Sequence, residues 1–316
     1  MTTGDDAGVQ QVKAARGLGT PLVCHGHTRP IVNVHCSGET PDGIFLASAS
    51  KDGQPQIRNG VTGDWIGTFQ GHNGAVWSCV LNETAFVAAT GSADFSARVW
   101  NAVTGDELVN FTHKHIVRTT AFERSSSGTK LMTGGAEKMV RLFDLGKPGM
   151  MDPVTTFGPA PDSIRSCMWS WDNRRILLSY LDEKGVDIID LASGTMVDRL
   201  ESGDSAVLSM EYTWCGRYLV TAQKHSITVR DASSLSVVKE HKIDSYEVEA
   251  ASYCPEKNVI VAGGSDMWVH VYNADTGEEL YNGRGHHGPV HCMRFSPLGD
   301  RFFSGSEDGT IRIWSL

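Results

Sequence analysis

Apolar and polar residues alternate with a period of two in short runs along the chain, as in SARVWNA at 96–102 and TIRIWSL at 310–316. Turn dipeptides such as DG and TG break these runs at short intervals, and no amphipathic run of helical period reaches ten residues. The pattern predicts strands throughout. The strands group into units, because a run of small residues, a turn and an alternating strand ending in a large residue and a polar one recurs seven times. The strand ends are Arg58-Asn59, Trp100-Asn101, Phe143-Asp144, Ile189-Asp190, Arg230-Asp231, Tyr272-Asn273 and Trp314-Ser315, spaced by 42, 43, 46, 41, 42 and 42 residues. A turn residue stands six positions before each end, at Asp52, Asp94, Glu137, Glu183, Lys224, Asp266 and Asp308, and six of these seven are acidic.

A period of about 40–45 residues fits a repeat of four strands. One such sheet cannot bury both of its faces, whereas seven stacked around an axis bury them all and leave only short edges. The expected fold is therefore all-β, a seven-bladed β-propeller over residues 19–316. The sequence ends just after the third strand of the last unit, and residues 20–24 (TPLVC) are extended, apolar and outside the repeats. They are expected to supply the missing outer strand and close the ring. Residues 1–18, rich in Gly, Asp and Gln, are expected to form a flexible N-terminal tail. The long connection at 145–157 is expected on the face opposite the blade-to-blade loops, as a loose loop or a secondary contact.

The units resemble the WD-repeat family, whose blades open near Gly-His and close near Trp-Asp; Gly26-His27, Gly71-His72 and Gly285-His286 match the opening, and His113 keeps the His alone. The resemblance implies a buried hydrogen-bonded chain from that His through a strand Ser or Thr and the turn Asp to the Trp. Its members would be His72, Asp94 and Trp100 in the second blade and His286, Asp308 and Trp314 in the seventh. The first blade has His27 and Asp52 but Arg58 where Trp would stand, and the fourth and fifth lack the His, the fifth with Lys224 at its turn, so those blades are expected to hold by packing alone. Further stretches resemble a narrower branch, the receptor-kinase-associated propellers: GHTRPIVNV (26–34), TGDWIGTFQGHNGAVW (62–77), TGDEL and HKHIVR (104–118), VAGGSD (261–266), TGEEL (276–280), and GHHGPVHCMRFSP with SGSEDGTIRIW (285–314). That branch implies a non-catalytic scaffold of cytoplasm and nucleus. Its partners would be receptor kinases and the SMN-complex machinery that assembles spliceosomal ribonucleoprotein particles for mRNA splicing. A translation-initiation-factor subunit of the same propeller type is the competing resemblance.

Composition narrows the chemistry. With 28 Lys and Arg against 37 Asp and Glu, the net charge of −9 provides no general field toward nucleic acid or anionic lipid. No stretch approaches the ~20 apolar residues of a membrane span. The seven cysteines contain no C-x-x-C and lie at least 12 residues apart, which fits neither a zinc site nor a disulfide framework. Cys36, Cys79, Cys167 and Cys292 sit in apolar strands and read as small buried hydrophobes. No phosphate-binding loop, nucleophile elbow or zinc-protease helix is present, so no catalytic, cofactor or metal residues are assigned. His286-His287-x-x-x-His291 is the nearest approach to a metal cluster, and His286 already belongs to the repeat.

Binding groups are instead expected on the face carrying the blade-to-blade loops. The residue after the first apolar position of each inner strand runs Val32, Trp77, Arg118, Arg165, Leu208, Glu249 and His291, and the residue after the turn position runs Gly53, Phe95, Lys138, Lys184, His225, Met267 and Gly309. Blades two to four thus combine Trp77, Phe95, Arg118, Lys138, Arg165 and Lys184. An aromatic centre beside basic groups suits an acidic or phosphorylated peptide of a partner protein. The plainer alternatives are Trp77 packed beneath a loop and the arginines paired with inter-blade acids. Direct RNA contact by the same sector is the second reading, with no small-molecule substrate and a monomer inside a larger complex expected in either case.

Overall fold

The computed structural model describes residues 19–125, 128–147, 149, 151–203 and 205–316. The expected N-terminal tail at 1–18 lies outside them, as do Pro148 and Met150 of the long connection.

Seven four-stranded antiparallel sheets make up the described chain. Their inner strands are Ile31–Cys36, Val76–Leu81, Val117–Phe122, Ile164–Trp169, Val207–Tyr212, Val248–Cys254 and Val290–Phe295, and each sheet then runs outward through three further strands. In six blades the four strands are consecutive in the chain; in the seventh, Val290–Phe295, Arg301–Ser306 and Ile311–Ser315 are completed by Leu22–Cys24. Leu22, Val23 and Cys24 pair with Ile313, Arg312 and Ile311, so the ring is closed by the expected N-terminal segment, over three residues rather than the five of 20–24.

The hydrophobic core is divided among the seven gaps between adjacent blades. Cys24, Ile31, Ile44, Leu46, Phe303 and Ile313 join the seventh blade to the first, and Ala47, Ile57, Phe69, Val76, Leu81 and Trp100 join the first to the second. Similar clusters fill the other five gaps. Each fully buried Val, Ile, Leu or Phe contributes about 1.5–3 kcal/mol relative to exposure. The second strand of each blade therefore carries mostly apolar or small residues on both faces. Cys36, Cys79, Cys167 and Cys292 are all buried, and burial pushes the Cys79, Cys167 and Cys292 thiols up to about 12.

The polar arrangements inside the blades differ. In the second, the Trp100 indole N–H donates to Thr90 Oγ1 at 2.9 Å, Thr90 lies 2.6 Å from His72 Nε2, and His72 Nδ1 lies 2.8 Å from Asp94 Oδ2. Trp can only donate and a carboxylate can only accept, so for a neutral imidazole the chain runs in one direction, with Thr90 donating to Nε2 and Nδ1–H donating to Asp94. In the seventh blade Trp314, Ser304, His286 and Asp308 repeat it at 2.9, 2.8 and 3.0 Å. The first blade keeps His27 2.8 Å from both Asp52 and Ser48, but Arg58 replaces Trp and donates to the Gly63 and His25 carbonyls and to Gln56.

The third blade reverses the order. Arg141 donates to His113 Nδ1 at 3.1 Å, and burial together with that cation pulls His113 down to about 4. The fourth blade, like the first, corrects the expectation of packing alone: Tyr180 donates to Asp187 at 2.6 Å, and Arg199 reaches Asp187 at 3.0 Å and Glu183 at 2.8 Å. In the sixth, Tyr246 stacks on His270 at 4.3 Å, while His270 bridges Asp266 and Glu279.

Candidate docking site at the channel mouth

A cavity of about 440 Å³ opens at the axis on the face of the blade-to-blade loops. Its wall includes Val32, Trp77, Arg118, Arg165, Leu208, Glu249 and His291, one from each blade. The local cause is a repeated irregularity. In every blade the pairing of the inner strand with its neighbour skips a residue at its second position, between Val76 and Ser78, Val117 and Thr119, Ile164 and Ser166, and equivalently around the ring. A β-bulge leaves its extra residue unpaired and re-aims the side chain. Seven bulges therefore turn seven side chains toward one opening.

The opening has two dissimilar walls. On one, the Arg118 guanidinium lies 4.5 Å from the Trp77 ring centroid, with Arg165 on the next blade. Among the described residues neither arginine forms an ion pair, and Arg118 Nε, Arg165 Nε and Trp77 Nε1 are buried without hydrogen-bond partners. Burial lowers both guanidinium pKa values, and for Arg165 the charge of Arg118 adds to it while Glu249 opposes. Arginine stays cationic at neutral pH regardless. On the other wall every charge is matched. His291 lies 2.5 Å from Glu249 and 2.7 Å from Glu307, Lys51 is 3.8 Å from Glu307, and Lys224 is 3.3 Å from Glu247. Burial alone would lower His291, but the two carboxylates outweigh it and raise its pKa. Below the mouth, Arg294 of the seventh blade reaches across to Glu211 of the fifth at 3.2 Å.

The outer residues of the proposed sector are less uniform. Phe95 is exposed, stacks beside His115 at 5.3 Å, and sits at φ 67°. Lys138 has φ 61° and donates to the Pro161 carbonyl at 3.0 Å with Asp162 3.9 Å away, so its charge is partly answered. Gly53 and Gly309 hold the same left-handed place in their blades. Lys184 departs from the register expected for it. Ser179 pairs with Val186 where Gly91 pairs with Ala97, so the fourth blade's turn is one residue longer, and Gly185 rather than Lys184 takes the left-handed position. Lys184 is exposed on the rim, outside the ring of equivalent residues. Sequence reasoning also missed Lys51, Lys224 and Glu247 as wall residues; their signal was a charged residue at or beside the turn in blades one and five and just before the inner strand in the sixth.

His286 is committed to Asp308 and Ser304 and His291 to its two glutamates. Among the described residues no three His, Cys, Asp or Glu are grouped to hold a metal ion, and no helix is long and apolar enough to cross a membrane.

The WD domain, G-beta repeat model matches residues 63–101 and 277–315, the second and last units. Over 295 residues the chain is 47% identical to the chicken (Gallus gallus) serine-threonine kinase receptor-associated protein, covering 93% of this chain and 82% of the relative. It is 44% identical to the Dictyostelium discoideum protein of the same name over 294 residues, covering 93% and 98%. The chain belongs to the serine-threonine kinase receptor-associated protein family. Similarity to eukaryotic translation initiation factor 3 subunit I from Bombyx mori is weaker, at 27% identity across 93% of this chain and 94% of that one. Membership of the serine-threonine kinase receptor-associated family, on a WD-repeat propeller, is that of a protein-interaction scaffold with protein partners.

Proposed function

We propose that this protein is a non-catalytic scaffold that works as one subunit of larger assemblies and docks an acidic segment of a partner protein at its channel mouth. The observation that carries this reading is the pair Arg118 and Arg165, two cations on neighbouring bulges beside Trp77 that form no ion pair among the described residues. A pair of half-buried guanidinium groups whose Nε atoms are buried without partners favours an incoming anion, and Trp and Arg are the residue types that dominate binding hot spots. Phe95 extends the sector outward, holding a left-handed backbone that costs a non-glycine residue about 1–2 kcal/mol.

The finer reading follows from the family. The partners are receptor kinases and the SMN-complex machinery assembling spliceosomal ribonucleoprotein particles, in cytoplasm and nucleus, with RNA reached through protein partners. What supports it is the extent of the likeness to receptor-associated relatives, well above that to the initiation-factor subunit. The test is affinity capture from the protein's own cells with wild type and with Arg118→Glu plus Arg165→Glu. Loss of at least one partner from the variant is expected; a folded variant that retains every partner overturns docking at this mouth.

A further inference from the structure

The charges around the mouth suggest what kind of anion it accepts. Glu247, Glu249 and Glu307 are matched by Lys224, Lys51 and His291, which closes the sixth-, seventh- and first-blade side on itself. Arg118 and Arg165 form no ion pair among the described residues, in a chain whose net charge is −9, and the carboxylates that act on Arg165 are the more distant Glu249 and Asp182. The ring order places Trp77 on one flank of this pair and Leu208 on the other, with Glu249 and His291 across the opening.

A run of Asp and Glu laid across the mouth would bring some of its carboxylates against a wall whose cations are already engaged by Glu247, Glu249 and Glu307, where they find no free partner. One carboxylate would neutralise only one arginine. A phosphate monoester carries nearly two negative charges on one tetrahedral group with three acceptor oxygens, and guanidinium groups meet it with parallel N–H donors. It would satisfy both arginines at one point without extending toward the glutamate wall.

We infer that the mouth recognises a single phosphorylated serine or threonine of a partner peptide, the phosphate between Arg118 and Arg165 and the flanking residues neutral. This rests on the docking reading above and narrows it. Residues on the Arg side contact Trp77 or Leu208, and a neutral residue next to the phosphorylated one faces the paired Glu249 and His291.

The test uses the full chain and three fluorescent degenerate peptide libraries, with phosphoserine, serine or glutamate at the central position, read by anisotropy. The phosphoserine library is expected to bind about tenfold or more tightly than either of the others, and Arg118→Gln or Arg165→Gln each to weaken it about tenfold. Inorganic phosphate is expected to compete. Arg118→Lys and Arg165→Lys keep the charge and lose the paired donors, so an intermediate loss from them supports recognition by geometry and guards against variants that fail to fold. Equal binding of the glutamate and phosphoserine libraries overturns the phosphate inference while leaving acidic docking standing. Phosphoserine binding unaffected by either arginine substitution overturns the assignment to this site. Binding only to vesicles carrying phosphorylated inositol lipid overturns the peptide as ligand. If no library binds and the double Glu variant keeps every captured partner, both readings fall.

Discussion

The second and fourth blades have the same four strands, yet their buried polar groups are connected differently. In the second, His72 arrives from the loop before the blade and ties that loop, through Thr90 and Asp94, to Trp100 in the third strand. In the fourth, the loop before the blade joins only at the turn, where Asp162 accepts from the Asp182 backbone N–H at 3.0 Å, while Tyr180, Asp187, Arg199 and Glu183 link the last three strands to one another. The first arrangement fastens a loop to a blade, and the second fastens a blade to itself. The strand framework tolerates either, because the apolar gaps between blades supply most of the cohesion and the polar groups need only be satisfied.

Four substitutions separate these arrangements. Trp100→Ala removes a fully buried side chain that also stacks on Phe69 at 5.5 Å, and about 3–5 kcal/mol of stability should be lost in denaturant unfolding. A loss below about 1 kcal/mol would mean that the second blade depends little on its network. Asp187→Ala strips Tyr180 and Arg199 of their shared acceptor in the fourth blade and should cost about 1–3 kcal/mol, whereas packing alone would predict almost no change.

The third blade carries a histidine whose titration is displaced. His113 is held neutral, down to about 4, so its share of stability is complete above the ordinary histidine range near pH 6.5 and disappears as pH falls toward 4. His113→Asn should flatten that part of the stability profile by about 1–3 kcal/mol. His35, buried and pulled down to about 3, leaves a remaining slope in the same window. Asp94 and Asp308 act lower. Burial opposes their charge, but hydrogen bonds, first of all those from His72 and His286, hold both well below the usual carboxylate range. Their contribution is present above about pH 4 and is lost as pH falls further. Unfolding measured between pH 7 and 3 should separate the two windows; a single transition would refute the assignment. Phe95→Gly has the smallest effect and the opposite sign, with stability raised by up to about 1 kcal/mol as the left-handed strain is relieved, while partner capture falls.

The repeat was legible because its markers are local. Each strand end carries a large residue and a polar one, and Trp77, Arg118, Arg165, Glu249 and His291 could be aligned by counting from the first apolar residue of each inner strand. The bulge that turns them to the opening needs no unusual residue type, so the alternating pattern does not betray it. Lys184 was misplaced because one extra turn residue between Ser179 and Val186 shifts the count without breaking the strand pattern. The Tyr180–Asp187–Arg199 grouping was invisible for a different reason: its members lie on three strands, and their meeting depends on two registers at once. The match of Glu307 to His291, 16 residues apart, likewise depends on a turn whose shape the sequence does not spell out.

The three-residue pairing of Leu22–Cys24 with Ile311–Ser315 also makes the ring a closed mechanical circuit with one short splice. Tension applied between the first described residues and Leu316 would load that splice before any other blade, so in a pulling experiment the seventh blade should part first and the remaining six unravel after it.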